Sequence, residues 1–531
     1  MLPAIFLAFL IIFLQGTAPS VFYGDTGELQ TVALCGGVAH PSGYPTFIML
    51  GQVFGRVLSG DPAHRITVMS AFFGAVVVCA LFLVLVKLGL PVWAALAGSV
   101  IYGLSFTFWW SAIRAEVYTL SIFLFLTSFW LVLHTFEKPT LAKAASAAAC
   151  LGLTLTGHLA FAPAVMVLGL MLAFKKPEKS KWLVYWPLIL ITFIAGLTPY
   201  LYLVWADAVD YPMNYLDYTI ELSTRQFGLT EETFSNPFRR IFWLISGQES
   251  RSTTNLYNVR TMAWTSIQLA ITEFIYQFGV LALPVFIIGA WKLLKKPDRK
   301  TWALVSIFTA STVFCVVMGN RRMLPIFAMP LTIIVAVVIS FGILTLRERL
   351  SGGRKRLRFR EISAGIIFFG LMIATPHLIH SRWDQSSIVK ESMKIPLEAG
   401  PEIKTVIPTL KDYMEPRIYG ERILKLVPPN SLVVGTWKIM VLYYLHYVEG
   451  MRPDIELNPY YPHHFIRLQR WEEEHDLNSH PIVFVGPMWG MVEDIAGLTE
   501  VPIDEEESIY ICRGPLKWNK NSRLIKDDSQ K

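Results

Sequence analysis

The chain has 531 residues, 53% of them hydrophobic and only 16% charged, with a formal net charge of +7. Apolar residues in blocks near the roughly 20 needed to cross a bilayer exclude an ordinary soluble protein and point to a polytopic α-helical membrane protein. The basic residues cluster in short loops, so the positive balance reads as a topology signal, and no nucleic-acid partner is expected.

Met1–Leu14 lacks a basic leader region and a small-residue cleavage site, so it is expected to be a retained first span and not a signal peptide. Spans are expected near 2–18, 66–87, 92–109, 116–135, 144–156, 158–174, 183–203, 264–291, 302–318, 324–346 and 361–380, about eleven crossings. The loops FEKPTLAK (136–143), KKPEKSK (175–181), KLLKKPDRK (292–300) and RERLSGGRKRLRFRE (347–361) go to the cytoplasm by the positive-inside rule. Because 144–174 lies between two of them, it must go out and back, with an apex near Gly157 and His158. Non-cytoplasmic pieces are then a first loop (19–65), a short turn (109–116), a long loop (205–262) and a tail (381–531). The tail holds strand-like runs at 431–437, 481–487 and 508–514 and a helical patch at 438–450, which predict a small α/β domain. The division expected is a membrane bundle over 1–380 and this domain over 381–531.

The first loop opens VFYGDTGELQTVALCGGVAHPSGYP. Asp25 and Glu28 stand three apart. One reading makes Asp25 the cap of a helix starting at Thr26, with Glu28 closing a capping box. The other makes Asp25 a carboxylate that takes a proton from an acceptor hydroxyl. His40 heads a rigid turn with Pro41, Gly43 and Pro45, and Tyr44 is expected at the interface; His40 is either a surface histidine or a contact to sugar or phosphate. Arg114 and Glu116 in the next turn read as a snorkelling cation and a helix-dipole partner, or as a pair organising a site. His158 at the outer apex reads first as a packing residue. Arg321 and Arg322 break the positive-inside pattern, and a lipid phosphate bound in guanidinium forks would explain them; a salt bridge to a loop is the plainer reading. Five cysteines are scattered without metal spacing, and Cys35 with Cys512 is the pair that could bridge. No nucleotide-binding loop, zinc-protease or serine-hydrolase motif occurs.

The run GDTGELQTVALCGGVAHPSGYP resembles the signature of a family of protein O-mannosyltransferase-like membrane enzymes with the GT-C glycosyltransferase fold. WWSAIRAEVYTLSIFLF (109–125), LGLTLTGHLAFAPA (151–164), LTPYLYLVWADAVDYPMNYLD (197–217) and VEGMRPDIELN (448–458) extend the likeness over most of the chain. Ser42 stands where the family has a second proline, and the tail departs before VEG. The resemblance implies a polyprenyl-phosphate-linked sugar, mannose first, as donor. It implies a hydroxyl acceptor, Ser or Thr of an exported protein, or alternatively a lipid-linked glycan or glycolipid. It also implies Asp25 as general base in an inverting displacement, with Glu28 as second candidate. The remaining residues above, including Tyr44, Glu116 and His158, are expected to bind donor or acceptor. No cofactor is required, and a divalent metal is possible. A flippase or transporter of lipid-linked sugars is the non-enzymatic alternative, disfavoured by the scarcity of mid-membrane charges and of repeat symmetry. The short N-terminus and lack of a retrieval signal lean towards a prokaryotic plasma membrane, with the site facing outward.

Overall fold

The computed structural model describes residues 1–137, 139–174, 182–209, 211–217, 235–246, 270–271, 273–318, 328–351, 359–383, 409–435, 438–459, 465–486, 495–503 and 507–518. Arg321, Arg322 and most of the long loop lie outside them.

The first part is helical: α1 (Leu2–Leu14), α2 (Gly24–Cys35), α3 (Pro45–Val57), α4 (Pro62–Leu88), α5 (Val92–Gly103), α6 (Phe106–Ala112), α7 (Tyr118–Glu137), α8 (Leu141–Gly157) and α9 (Ala162–Ala173). Among the described residues four helices are long and apolar enough to cross a membrane: Pro62–Leu88, Tyr118–Glu137, Val184–Val209 and Met329–Ser351. The eleven expected crossings are therefore matched only in part. Some expected spans are shorter apolar helices, such as Leu2–Leu14 and Leu141–Gly157. The stretch expected as one span at 92–109 is instead α5 and α6, bent by 69°. The bend frees backbone groups that side chains then satisfy: the His377 imidazole donates from Nε2 to the Leu104 carbonyl (2.8 Å), and the Gln277 carbonyl accepts from the Thr107 amide (2.9 Å). The break between α8 and α9 falls at His158, where the out-and-back path was expected to turn.

The loop expected at 19–65 is largely helical. α2 is buried nearly throughout and packs against α3 and α4. Helix starts there follow their sequence: Pro45 opens α3, and Asp61 caps α4, accepting from the His64 amide at 3.0 Å.

Two short strands, β4 (Ile495–Ala496) and β7 (Lys517–Trp518), form an antiparallel pair of their own, and the tail forms a five-stranded sheet in the order β2-β1-β3-β6-β5, from β1 (Leu432–Gly435), β2 (Glu456–Pro459), β3 (Ile482–Val485), β5 (Thr499–Pro502) and β6 (Ser508–Cys512). β1 is parallel to β2 and β3, while β6 runs antiparallel to β3 and β5. The strands fall in the three expected runs, with β2 and β5 added. Helices Glu415–Leu426 and Phe465–Glu474 complete the α/β unit. Cys35 and Cys512 are both free thiols, so the disulfide between them is not formed. One hydrophobic core runs from α1 and α2 through the bundle into the tail.

Candidate active site

α2 begins at Gly24, one residue before Asp25, with Tyr23 as its N-cap and no side-chain cap. The capping-box reading of Asp25 and Glu28 is thereby corrected. Asp25 lies inside the first turn, where its charge faces the positive end of the helix, and Glu28 is turned towards the His40 loop. That loop is held close by glycine. Gly37 has φ +134°, and a Cβ there would sit 2.0 Å from the Met213 carbonyl oxygen. Gly43 at φ +81° lets the turn approach Leu203 and Leu244.

The turn brings His40 onto the two carboxylates. Glu28 accepts from the His40 amide through Oε1 (2.8 Å) and from the imidazole Nδ1–H through Oε2 (2.5 Å). The Tyr44 hydroxyl donates to the Pro41 carbonyl (2.6 Å), so towards His40 Nε2, at 3.0 Å, it can only accept. Both ring nitrogens thus carry protons and His40 is an imidazolium, with Nε2 3.8 Å from Asp25 Oδ2. Burial alone would discharge His40, but the Glu28 and Asp25 carboxylates outweigh it and push its pKa up to about 10. Burial raises the Asp25 carboxyl above its ordinary value; His40 and Arg114 pull it down and Glu28 pushes it up.

The second turn closes the cluster. The Thr26 hydroxyl donates to Glu116 Oε1 (2.9 Å), which also takes Arg114 Nη2 at 3.3 Å. The Ser70 hydroxyl accepts from the Glu116 amide (3.0 Å), fixing its backbone. Burial raises the Glu116 carboxyl, against the pull of Arg114. The Arg114 guanidinium lies over the Trp110 and Phe22 rings, 4.9 and 5.6 Å from their centroids, so its charge is held by π faces as well as by Glu116. His158 stacks on Tyr44 (5.5 Å, 20°) and meets Tyr118 (5.4 Å), while its Nδ1 accepts from the Ala160 amide.

Seven of the nine residues singled out in the sequence therefore form one cluster: Asp25, Glu28, His40, Tyr44, Arg114, Glu116 and His158. Arg321 and Arg322 lie outside the described residues. Thr26, Ser70 and Trp110 were missed, although Thr26 stands inside the Gly-Asp-Thr-Gly-Glu-Leu run. Asp25, Glu28 and His40 offer two oxygens and a nitrogen within 4.8 Å of one another, a donor set suited to a divalent cation. They fit one only after His40 gives up a ring proton, since both nitrogens are now donors.

Residues 25–181 match the family described as the Protein O-mannosyl-transferase TMEM260 N-terminal domain. The chain is 24% identical to Protein O-mannosyl-transferase tmem260 of Dictyostelium discoideum over 511 residues, covering 85% of this chain and 56% of that protein. It is 23% identical to Protein O-mannosyl-transferase TMEM260 of Mus musculus over 487 residues, covering 86% and 62%. It thus spans little more than half the length of these curated relatives. Both come from eukaryotes, so the expectation of a prokaryotic chain gains no support from them. Among solved structures, ArnT from Cupriavidus metallidurans bound to undecaprenyl phosphate superposes with a TM-score of 0.53 at 12% identity, covering 96% of this chain and 97% of that one. Its apo form gives 0.51. Motif, relatives and fold agree: the chain is similar to the TMEM260 protein O-mannosyl-transferases and has the fold of a multi-pass GT-C membrane glycosyltransferase.

Proposed function

We propose that this chain is an inverting glycosyltransferase that moves a sugar, mannose first among candidates, from a polyprenyl-phosphate donor to a Ser or Thr hydroxyl of an exported protein, at the non-cytoplasmic face. The observation that carries the reading is the half-buried carboxylate of Asp25 in the first turn of α2, beside a fixed imidazolium. A carboxyl raised above its ordinary range is a better proton acceptor at neutral pH than an exposed one. Asp25 takes the acceptor proton, the acceptor oxygen forms its bond to the anomeric carbon, and the bond from that carbon to the phosphate oxygen breaks. Polyprenyl phosphate leaves with the bonding pair.

His40 and Arg114 supply positive charge near the reacting groups, and Glu28 and Glu116 hold those two cations in place. Arg321 and Arg322 are assigned to the donor phosphate on sequence grounds. A divalent cation bound by Asp25, Glu28 and His40 would help neutralise that phosphate; no step depends on it. The donor class draws support from the undecaprenyl phosphate named with ArnT, and the acceptor class from the names of the curated relatives.

The test is transfer of sugar from a synthetic polyprenyl-phosphate mannose to a Ser/Thr-rich peptide by purified protein, without an ion gradient. Turnover supports the enzyme. Movement of the donor across liposomes without transfer supports the flippase reading, and transfer to a glycolipid but not to peptide supports the alternative acceptor.

A further inference from the structure

A short helix outside the candidate site, Pro237–Ile245, has two faces of different character. Asn236 caps it, accepting from the Phe238 and Arg239 amides. Ile241 and Leu244 point inward to a small core with Leu203, Ala206, Leu216 and Val38. Arg240 ties the helix down through Asp207 (2.7 Å) and Asp217 (3.1 Å). The outward face carries Phe238 and Phe242, four apart and therefore stacked on one stripe, 64% and 66% exposed. An Arg239 at their edge is exposed as well.

Water does not favour two open phenylalanine rings on a helix that is otherwise well anchored. Their neighbour shows what covers them. The helix shares its core with Tyr200–Val209, the end of a membrane-length helix, Val184–Val209, whose apolar 18-residue stretch is only 11% buried inside the protein. That end exposes Leu201 (58%), Trp205 (51%) and Val209 (47%) at a spacing of four, a face for lipid. The apolar surface of a bilayer-facing helix thus continues onto the helix tied to its end. At nine residues, about 14 Å, the short helix cannot span. Two aromatic rings with a basic residue beside them are the composition of an interfacial helix.

We propose that Pro237–Ile245 lies in the membrane interface, in the leaflet on the side of the candidate site, with Phe238 and Phe242 among the upper acyl carbons. The helix also bears on the site. Leu203 and Leu244 are the side chains under Gly43 in the His40 turn. The same segment reaches Val38, whose amide donates to the Met213 carbonyl (2.8 Å) and whose carbonyl accepts from the Tyr215 amide (2.9 Å). The lipid surface therefore supports the floor of the turn that carries His40.

The test uses the unmodified chain in nanodiscs containing phosphatidylcholine with a photoactivatable diazirine high on one acyl chain, read by peptide mass spectrometry. Adducts on Phe238 and Phe242, at yields comparable to those on Leu201 and Trp205, are expected, and a Phe238→Asn/Phe242→Asn variant should lose most of the first pair and keep the second. Adducts on Leu201 and Trp205 with none on 237–245 overturn the proposal, whether water or another protein surface covers the helix.

Discussion

Replacing Asp25 by Asn separates proton transfer from folding, and the structure sets the two magnitudes apart. Asn has almost the same shape. Asp25 does not cap α2, so no cap is lost. What changes in the fold is a charge that meets the helix dipole, worth about 0.3–1 kcal/mol, and the His40 imidazolium 3.8 Å away, and relief from burying that charge opposes both. The reaction loses its base, which is worth about 10²–10⁴ in rate. At about 1.4 kcal/mol per factor of ten that is roughly 2.7–5.4 kcal/mol of barrier, several times the folding term. Purified wild-type and Asp25→Asn proteins would be compared in nanodiscs for sugar transfer from polyprenyl-phosphate mannose and for thermal unfolding. The expected result is an unfolding midpoint near wild type with turnover reduced at least about a hundredfold. A variant that unfolds normally and turns over within about threefold of wild type, well inside the general-base range, would refute the assignment of Asp25 as base.

Wild-type kcat/KM should fall on the acid side with an inflection above the ordinary carboxylate value of about 4, because Asp25 must be ionised to act and burial raises its pKa; a pH-rate profile reads this directly. His40 has a folded pKa of about 10, raised from 6.5, so the stability it lends is complete below pH 6.5 and is lost as pH rises through 10. Glu28→Gln should flatten that alkaline decline in thermal unfolding curves and lower activity less than Asp25→Asn does. Arg417 donates to both carboxylate oxygens of Glu449 (2.7 and 2.8 Å) and reaches Ser20 (3.3 Å) on the segment before α2. Arg417→Ala should cost about 1–2 kcal/mol by denaturant titration, at the low end for charged hydrogen bonds because both partners are part-exposed, and Lys should restore only part of it.

The bundle was legible where apolar runs are long, as at Pro62–Leu88 and Tyr118–Glu137, since hydropathy over about 20 residues is a strong signal. It was less legible at 92–109, because the bend after Gly103 depends on His377 and Gln277, partners more than 160 residues away in sequence. The site was legible as residue types and not as contacts. Spacing suggested that Asp25 and Glu28 share a helix turn, but it assigned the start of that turn two residues too late. A glycine at position 24, with φ +60°, makes the entry, and Tyr23 takes the cap position that the acid was expected to hold. Twelve residues separate Glu28 from His40, and no local rule predicts that the Gly36-Gly37 bend would return the imidazole to that carboxylate.

The tail is the other element whose role needed three dimensions. Its helical patch is buried at every position from Ile439 to Leu445, more completely than an amphipathic surface helix would be. Two partners account for this. One side meets the sheet, where the Tyr443 hydroxyl donates to the Leu457 carbonyl at 3.0 Å. The other meets α2 and the start of α4: the Met440 Cβ lies 3.3 Å from where a side chain on Gly27 would begin, and the Tyr444 hydroxyl accepts from the Ala63 amide of α4 at 3.2 Å. Around this seam Tyr23 meets Tyr419 edge-on, Phe22 meets Tyr413, and Lys438 lies over both Tyr23 and Tyr419. Glycine at 27, between Thr26 and Glu28, is thus explained by packing: any larger residue would strike the Phe22 carbonyl, 2.3 Å away, and press on the tail. α2 has the bundle on one side and the tail on the other. The position of Asp25 is accordingly set by both, which is why a segment rich in glycine and threonine, with little helical propensity of its own, can hold a half-buried carboxylate in place.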